Sequence, residues 1–132
     1  LGFSNSLDIL NNILEMTFQE NSIVRNQDIP IVVASIVSNP IGRKLMWNFL
    51  KDNWNLICDK LKGGSFLFGR VVSQSIKLMT SKEDLDDVNK FISNNQKDLN
   101  GLSKTLKQAK ENVIDRINLK TRNLIEIFND IN

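Results

Sequence analysis

The chain has 132 residues, of which 41% are hydrophobic and 24% charged, a balance typical of one globular domain with a modest core. Its 17 basic and 15 acidic side chains leave a formal charge of +2, too small for the broad positive field that drives nucleic-acid binding. The sequence has no histidine and a single cysteine, Cys58, so it lacks the usual zinc ligands, the usual general base and an internal disulfide. We therefore expect no catalytic residue, no metal ligand and no nucleic-acid partner in this chain.

The first two predicted elements are helices. Apolar residues recur at three- and four-residue steps after the polar start at 4–6, which places them on one helical face: Leu7, Leu10, Ile13, Leu14 and Phe18. The apolar run 29–37 is far shorter than the ~20 residues that cross a bilayer, and its β-branched residues also suit a strand. Because Asp28 suits an N-cap and Pro30 a first turn, the sequence predicts a buried helix there.

Two further helices are predicted between Asn39 and the glycine pair at 63–64. Asparagine caps free N–H groups and proline is tolerated at the first helical position, so Asn39-Pro40 predicts a helix start. A second capping point falls at 52–53, and Gly63-Gly64 breaks the chain. The apolar positions at helical spacing are Ile41, Leu45, Phe49 and Leu50, then Trp54, Ile57, Cys58 and Leu61.

The remaining sequence continues the helical period. Ser81, followed by carboxylates at 83–84, predicts another helix start, and the polar stretch 93–100 predicts a surface loop. Residues 102–131 contain no proline and predict one long helix or two joined by a tight bend. With no alternating pattern that would indicate a sheet, the sequence predicts an all-α fold of about seven helices. Stacked antiparallel hairpins forming a short α-solenoid are favoured over a compact bundle.

Each feature that could carry chemistry also has a structural interpretation, which we favour. Cys58 lies on an apolar helical face, which predicts a buried thiol. The acidic cluster at 83–87 falls at a helix start, and the lysines at 104–110 suit a solvated outer face. Trp47 and Trp54 sit among periodic apolar positions, which favours packing over ligand stacking.

Four short segments, 24–28, 38–43, 47–54 and 63–66, together form a more specific pattern. Their order and spacing resemble the C-terminal helical domain of gluzincin zinc aminopeptidases, the family of aminopeptidase N, the endoplasmic-reticulum aminopeptidases and puromycin-sensitive aminopeptidase. The signature residues, to which we assign packing roles, are Arg25, Asp28, Gly42, Trp47, Phe49, Asn53, Trp54 and Gly64. Leu119 departs from the pattern, because many members carry tryptophan there.

The resemblance implies that residues 1–132 are a single C-terminal helical domain, cut from a longer protein whose zinc-binding catalytic domain lies upstream. It implies a HEAT- or armadillo-like bowl that caps the active site and shapes a chamber for peptides. The implied partners are that catalytic domain and peptide substrates, and the implied zinc belongs to the missing domain. Arg43 and Arg70 are candidates for holding the far carboxylate of a peptide, although surface or helix-end cations are the more common interpretation.

Two other functions remain open at this point: a stand-alone helical-repeat interaction module and an oligomerisation domain, for which a homodimer is the simplest form.

The cellular location of the protein is open as well. The segments 38–42 and 63–66 resemble the aminopeptidase N type, commonly a membrane-anchored ectoenzyme, whereas 24–28 and 51–54 also suit the cytoplasmic puromycin-sensitive type. We favour the ectoenzyme, although the chain carries no Asn-x-Ser/Thr sequon to support extracellular placement.

Overall fold

The computed structural model describes residues 2–61, 63 and 65–131, with side chains at 7–61, 63 and 66–131. These residues form seven α-helices and one short 3-10 helix, and no strand occurs among them. The α-helices are α1 (Gly2–Phe18), α2 (Ile29–Val37), α3 (Pro40–Asp52), α4 (Trp54–Leu61), α5 (Ser65–Ile76), α6 (Lys82–Asn94) and α7 (Ser103–Ile131). The predicted all-α class is confirmed, while the stacking of hairpins into a solenoid stays a prediction.

Two of the predicted helix starts form as expected. The side chain of Asn39 accepts a hydrogen bond from the Ile41 backbone N–H at 2.9 Å, and Pro40 opens α3. The Ser81 hydroxyl oxygen accepts from the Asp84 N–H at 3.1 Å at the start of α6. Each contact satisfies one of the N–H groups that a helix start leaves without an intrahelical partner.

The predicted N-cap at Asp28 is wrong in its mechanism, although α2 begins where expected. The 3-10 helix Asn26–Asp28 leads into α2, and the Asp28 side chain makes no capping hydrogen bond. Its carboxylate instead accepts from Arg25 Nε at 3.1 Å. The arginine three residues earlier competes successfully for the carboxylate, and Pro30 in the first turn removes one of the N–H groups that would need a cap.

The C-terminal part also differs from the prediction in detail. Residues 103–131 form one continuous helix, which is the first of the two predicted alternatives, whereas α6 extends to Asn94. The predicted surface loop therefore shrinks to a series of turns, and it is not wholly exposed, because Leu99 is buried. These turns end at Gly101, whose φ of 94° is a backbone conformation that favours glycine.

The chain packs as two compact units, Leu1–Ser75 and Ile76–Asn132. In the first unit α3 is central and contacts α1, α2 and α4. Its core includes the Phe18 and Phe49 rings, whose centroids lie 5.5 Å apart, and the Trp54 and Phe68 rings at the same separation. In the second unit α6 packs on α7 through buried apolar residues that include Val88, Leu106, Ala109 and Val113.

Helix α1 carries a second apolar stripe that the sequence analysis merged with the first. Leu14 and Phe18 are fully buried, but Ile13, expected on the same face, is 38% exposed. Ile13 lies with Ile9 and Met16 at four- and three-residue steps, and all three side chains are exposed. The helix therefore has an inner apolar face within the unit and an outer apolar face toward solvent.

The junction between α2 and α3 is a close approach of two backbones. A side-chain carbon added to the buried Gly42 would collide with the carbonyl oxygen of Ile36 and would come within 2.9 Å of the carbonyl carbon. Both are backbone atoms and cannot move aside by changing rotamer. Gly42 therefore allows the first turn of α3 to lie directly against the last turn of α2.

We predict that Gly42→Ala lowers the free energy of unfolding by about 2–3 kcal/mol, because the added methyl group must push the two helices apart. Urea denaturation monitored by circular dichroism measures the change. Gly63→Ala is the control, since an added carbon there meets nothing within 4 Å, and we expect a change below about 0.5 kcal/mol. Equal effects of the two substitutions would contradict the steric explanation.

Candidate functional site

Arg43 lies at the corner between α2 and α3, where it binds the end of α2. Its Nε donates to the Val37 carbonyl oxygen at 2.7 Å and its Nη2 to the Ser38 carbonyl oxygen at 3.4 Å. The last carbonyls of a helix have no intrahelical partner and carry the negative end of its dipole, so a guanidinium is stabilising there. These contacts fit a helix-end cation, and a role for Arg43 in binding a peptide carboxylate stays a prediction.

Arg70 has a more open environment on α5. Its guanidinium carbon lies 5.8 Å from the centroid of the Phe66 ring, and that ring is 74% exposed. A cation over the face of an aromatic ring is attracted to it and loses some of its conformational freedom. The exposed pair presents a charged group and an apolar surface side by side, which is a suitable arrangement for a peptide end. Its use as an anchor also stays a prediction.

The aromatic signature residues lie in the core of the first unit. Trp47 and Trp54 are 4% and 7% exposed, and Trp54 packs on Phe68. The ammonium nitrogen of Lys51 lies 5.6 Å from the centroid of the Trp47 ring. Burial of this degree leaves neither indole face open to a ligand of any size.

Asn53 joins α3 to α4. Both its backbone N–H and its side-chain Nδ2 donate to the Phe49 carbonyl oxygen, at 2.9 and 3.1 Å, while its own carbonyl accepts from the Ile57 N–H at 3.0 Å. One residue thus ends one helix and begins the next without a loop. Gly64, the last of the signature residues, lies outside the described residues.

A cleft of about 650 Å³ opens beside the segment that follows α1. Its lining mixes apolar side chains with charges of both signs: Phe18, Val24, Leu56, Glu20, Arg25, Asp59 and Lys60. Two long-range hydrogen bonds hold its walls together, from Lys60 Nζ to the Gln19 carbonyl at 3.0 Å and from Asn26 Nδ2 to the Lys60 carbonyl at 3.3 Å. No periodic pattern indicates this meeting, since Gln19 and Asn26 lie 41 and 34 positions from Lys60 in the chain.

The donor set does not fit a zinc site. The sequence has no histidine, and the single cysteine, Cys58, is only 6% exposed within α4. Across residues 2–61, 63 and 65–131, no group of three or more Cys, Asp or Glu side chains is arranged to hold a metal ion.

Within the same residues, no helix combines the length and the apolar character needed to span a membrane.

Comparisons with known proteins give a consistent result. Residues 1–115 match the family model of the ERAP1-like C-terminal domain. Aminopeptidase N of Bos taurus is 28% identical over 130 residues, which is 98% of this chain and 13% of that protein. Aminopeptidase N of Oryctolagus cuniculus is 34% identical over 95 residues, 72% of this chain and 10% of that protein.

Endoplasmic reticulum aminopeptidase 1 of Rattus norvegicus is 30% identical over 104 residues, 76% of this chain and 11% of that protein. The chain therefore spans about a tenth of the length of these curated relatives. In each case the similarity extends over most of the chain, including the corner at Gly42 and the junction at Asn53. The chain belongs to the family of ERAP1-like C-terminal domains, the C-terminal part of aminopeptidase N-like enzymes.

Proposed function

We propose that this chain is the non-catalytic C-terminal domain of a zinc-dependent aminopeptidase, and that it caps the active site and bounds the chamber that receives peptides. The observation that carries the proposal is the family match over residues 1–115. The side chains of the described residues fit a non-catalytic role, because zinc chemistry needs ligands that these residues do not supply. In this proposal the zinc and the general base belong to the catalytic domain of the same protein.

The outer face of α1 supports docking of this chain against the rest of the protein. Ile9, Ile13 and Met16 are 58%, 38% and 50% exposed on one stripe. An apolar stripe on the outer side of a helix normally packs against a second element. We infer that another helix of the parent protein covers this stripe.

Arg70 is the better of the two candidate anchors for the far end of a peptide. The guanidinium of Arg43 already binds two main-chain carbonyls, whereas Arg70 lies beside the exposed Phe66 ring. A guanidinium can bind a carboxylate through two parallel hydrogen bonds, and the ring offers apolar contact to the last side chain of the peptide. Peptides long enough to reach Arg70 would then bind more tightly than short ones.

We predict that the full-length protein containing this chain releases N-terminal residues from peptides and contains about one zinc ion per catalytic domain. Activity should disappear on chelation and return with added zinc. The 132-residue chain alone should show no such activity. A full-length reading frame without a His-Glu-x-x-His helix and a downstream glutamate would contradict the assignment.

We predict that Arg70→Ala in the full-length enzyme raises KM for long peptides by about tenfold, the equivalent of one charge-assisted hydrogen bond, and leaves the kinetics on a dipeptide substrate unchanged. Amidating the C-terminus of the long peptide should reproduce this loss in the unsubstituted enzyme and cause no further loss in the variant. Arg122→Ala, at an exposed position of α7, is the control. Equal effects on long and short substrates would exclude Arg70 as an anchor.

We predict that Ile13→Glu impairs docking of α1, since it places a charge where the outer stripe meets its neighbour. In the full-length protein the variant should lower the melting temperature and increase proteolytic cleavage near the start of this chain. Asn12→Glu adds the same charge at an adjacent exposed position and should have little effect. Similar results for the two variants would show that the stripe faces solvent.

A further inference from the structure

The only asparagine in the sequence that precedes a glycine is Asn100, and it lies in a tight turn directly before α7. The Leu102 N–H donates to the Leu99 carbonyl oxygen at 3.0 Å, which makes Asn100 and Gly101 the two central residues of a β-turn. A φ of 94° at Gly101 is typical of the third position in a type II turn. We call residues 99–102 the Asn-Gly turn.

The Asn-Gly turn is anchored at its ends and open at its centre. Leu99 and Leu102 are 4% and 8% exposed, whereas Asn100 and Gly101 are exposed to solvent. Among the residues that the structure describes, none forms a hydrogen bond with the Asn100 side chain, the Asn100 carbonyl or the Gly101 N–H. The peptide group between the two residues can therefore rotate without breaking a hydrogen bond, and glycine accepts the change in φ that accompanies the rotation.

This arrangement leaves the side chain of Asn100 open to attack by the main chain. The nucleophile is the main-chain nitrogen of the next residue, which must reach the carbonyl carbon Cγ of the asparagine. A bulky side chain on the next residue would obstruct that approach, and a hydrogen bond from its N–H would hold the nitrogen in place. Gly101 has no side chain and lies outside the helices, so neither obstacle is present.

We propose that Asn100 is a site of spontaneous deamidation, in which water converts its side-chain amide to a carboxylate through a cyclic imide. The Gly101 nitrogen forms a bond to Asn100 Cγ, the bond between Cγ and the side-chain nitrogen breaks, and ammonia leaves with the proton that Gly101 gives up. Water then cleaves one of the two C–N bonds of the imide. The net exchange of ammonia for water needs no oxidant and no reductant.

The position of the second cleavage decides the product. Cleavage at Cγ gives aspartate and leaves the main chain unchanged. Cleavage at the main-chain carbonyl carbon gives isoaspartate, in which the main chain runs through the former side chain. Both products carry a new negative charge at position 100.

The new charge has favourable surroundings. Asn100 lines a cleft of about 280 Å³ together with Lys107 and Lys110. The cleft lies at the start of α7, where the helix dipole favours a negative charge. We therefore expect the aspartate form to keep the Asn-Gly turn.

Isoaspartate has the opposite effect on this turn. Its extra main-chain carbon lies between the two buried anchors, Leu99 and Leu102, and lengthens the ring that their hydrogen bond closes. Either that hydrogen bond or the packing of one leucine must then be lost. Deamidation thus gives one product that preserves the entry into α7 and one that loosens it. Neither depends on the proposed aminopeptidase function.

Mass spectrometry of the full-length protein that contains this chain, after storage at neutral pH, tests the site. Trypsin releases peptides 98–104 and 83–90, each of which contains a single asparagine. Peptide 83–90 is the matched control, because its Asn89 is exposed on α6 and precedes a lysine. Peptide 98–104 should acquire the mass change of amide hydrolysis at least about tenfold faster. Equal rates, or an unchanged peptide 98–104, would overturn the proposal.

A synthetic peptide of residues 98–104 tests whether the turn is as open as the structure indicates. It contains the same Asn-Gly pair without the fold. Because no hydrogen bond has to break first, the full-length protein should deamidate at a rate within about tenfold of the rate of the free peptide. A greater protection would show that the fold shields Asn100, and the proposal would fail.

Substitution of the glycine tests the attacking atom. Gly101→Ala should slow the conversion of Asn100 by at least about tenfold, because the methyl group obstructs the attack and disfavours a positive φ. Gly63→Ala is the control, since an added carbon there meets nothing within 4 Å, and the rate should not change. Circular dichroism shows whether each variant keeps its helix content. An undiminished rate in Gly101→Ala would exclude attack by the nitrogen of residue 101.

Hydrogen exchange distinguishes the effects of the two products. Peptides with aspartate and isoaspartate at position 100 separate by chromatography, so exchange can be followed on both forms in one aged sample. The Leu102 amide should exchange as slowly in the aspartate form as in the unmodified protein. In the isoaspartate form it should exchange at least about tenfold faster, because its hydrogen bond to Leu99 is weakened. Equal exchange in the two forms would overturn the expected loosening of the turn.

Discussion

The packing of the first unit depends on the close approach between α2 and α3. Because Gly42 has no side chain, the start of α3 can lie against the carbonyl oxygen of Ile36. The corner is then held from both sides, by Asn39 at the start of α3 and by Arg43 at the end of α2. Since α3 also contacts α1 and α4, the direction in which it leaves this corner determines how the unit closes.

Much of this architecture could be predicted from local sequence, and the reason is visible at particular residues. The run 29–37 is rich in β-branched residues, yet it is a helix, because Pro30 suits a first turn and Asn39-Pro40 begins the next helix shortly after its end. The burial of Trp54, Ile57, Cys58 and Leu61 followed from their spacing alone. Such signals act within a few residues, where helical geometry fixes which side chains are neighbours.

The features that the sequence analysis missed depend on competition between nearby side chains or on contacts between residues far apart in the chain. Asp28 was expected to cap α2, but the nearby Arg25 guanidinium takes its carboxylate. In the wall of the cleft, Lys60 bonds to the segment that follows α1, and the two bonded residues are 41 positions apart in the chain. No periodic pattern reveals a contact at that separation. The outer face of α1 was merged with the inner one, because apolar periodicity does not distinguish a residue that packs inside the unit from one that packs outside it.

The candidate site could likewise be predicted only in part. Family resemblance singled out the signature residues, and the structure gives several of them packing or junction positions: the tryptophans lie in the core and Asn53 joins two helices. What the resemblance could not supply is the environment of the charged groups. The geometry separates Arg43, which is held by main-chain oxygens, from Arg70, which lies beside an exposed ring.

The length of α7 has a mechanical consequence. The last buried side chain of the helix is Val113, and beyond it the helix continues as a single rod for 18 further residues, or about 27 Å. A rod fixed at one end acts as a lever: a tilt of about 10° around Val113 moves Ile131 by about 5 Å. Small rearrangements where α6 meets α7 would therefore be amplified at the tip, and any partner held there would sense them.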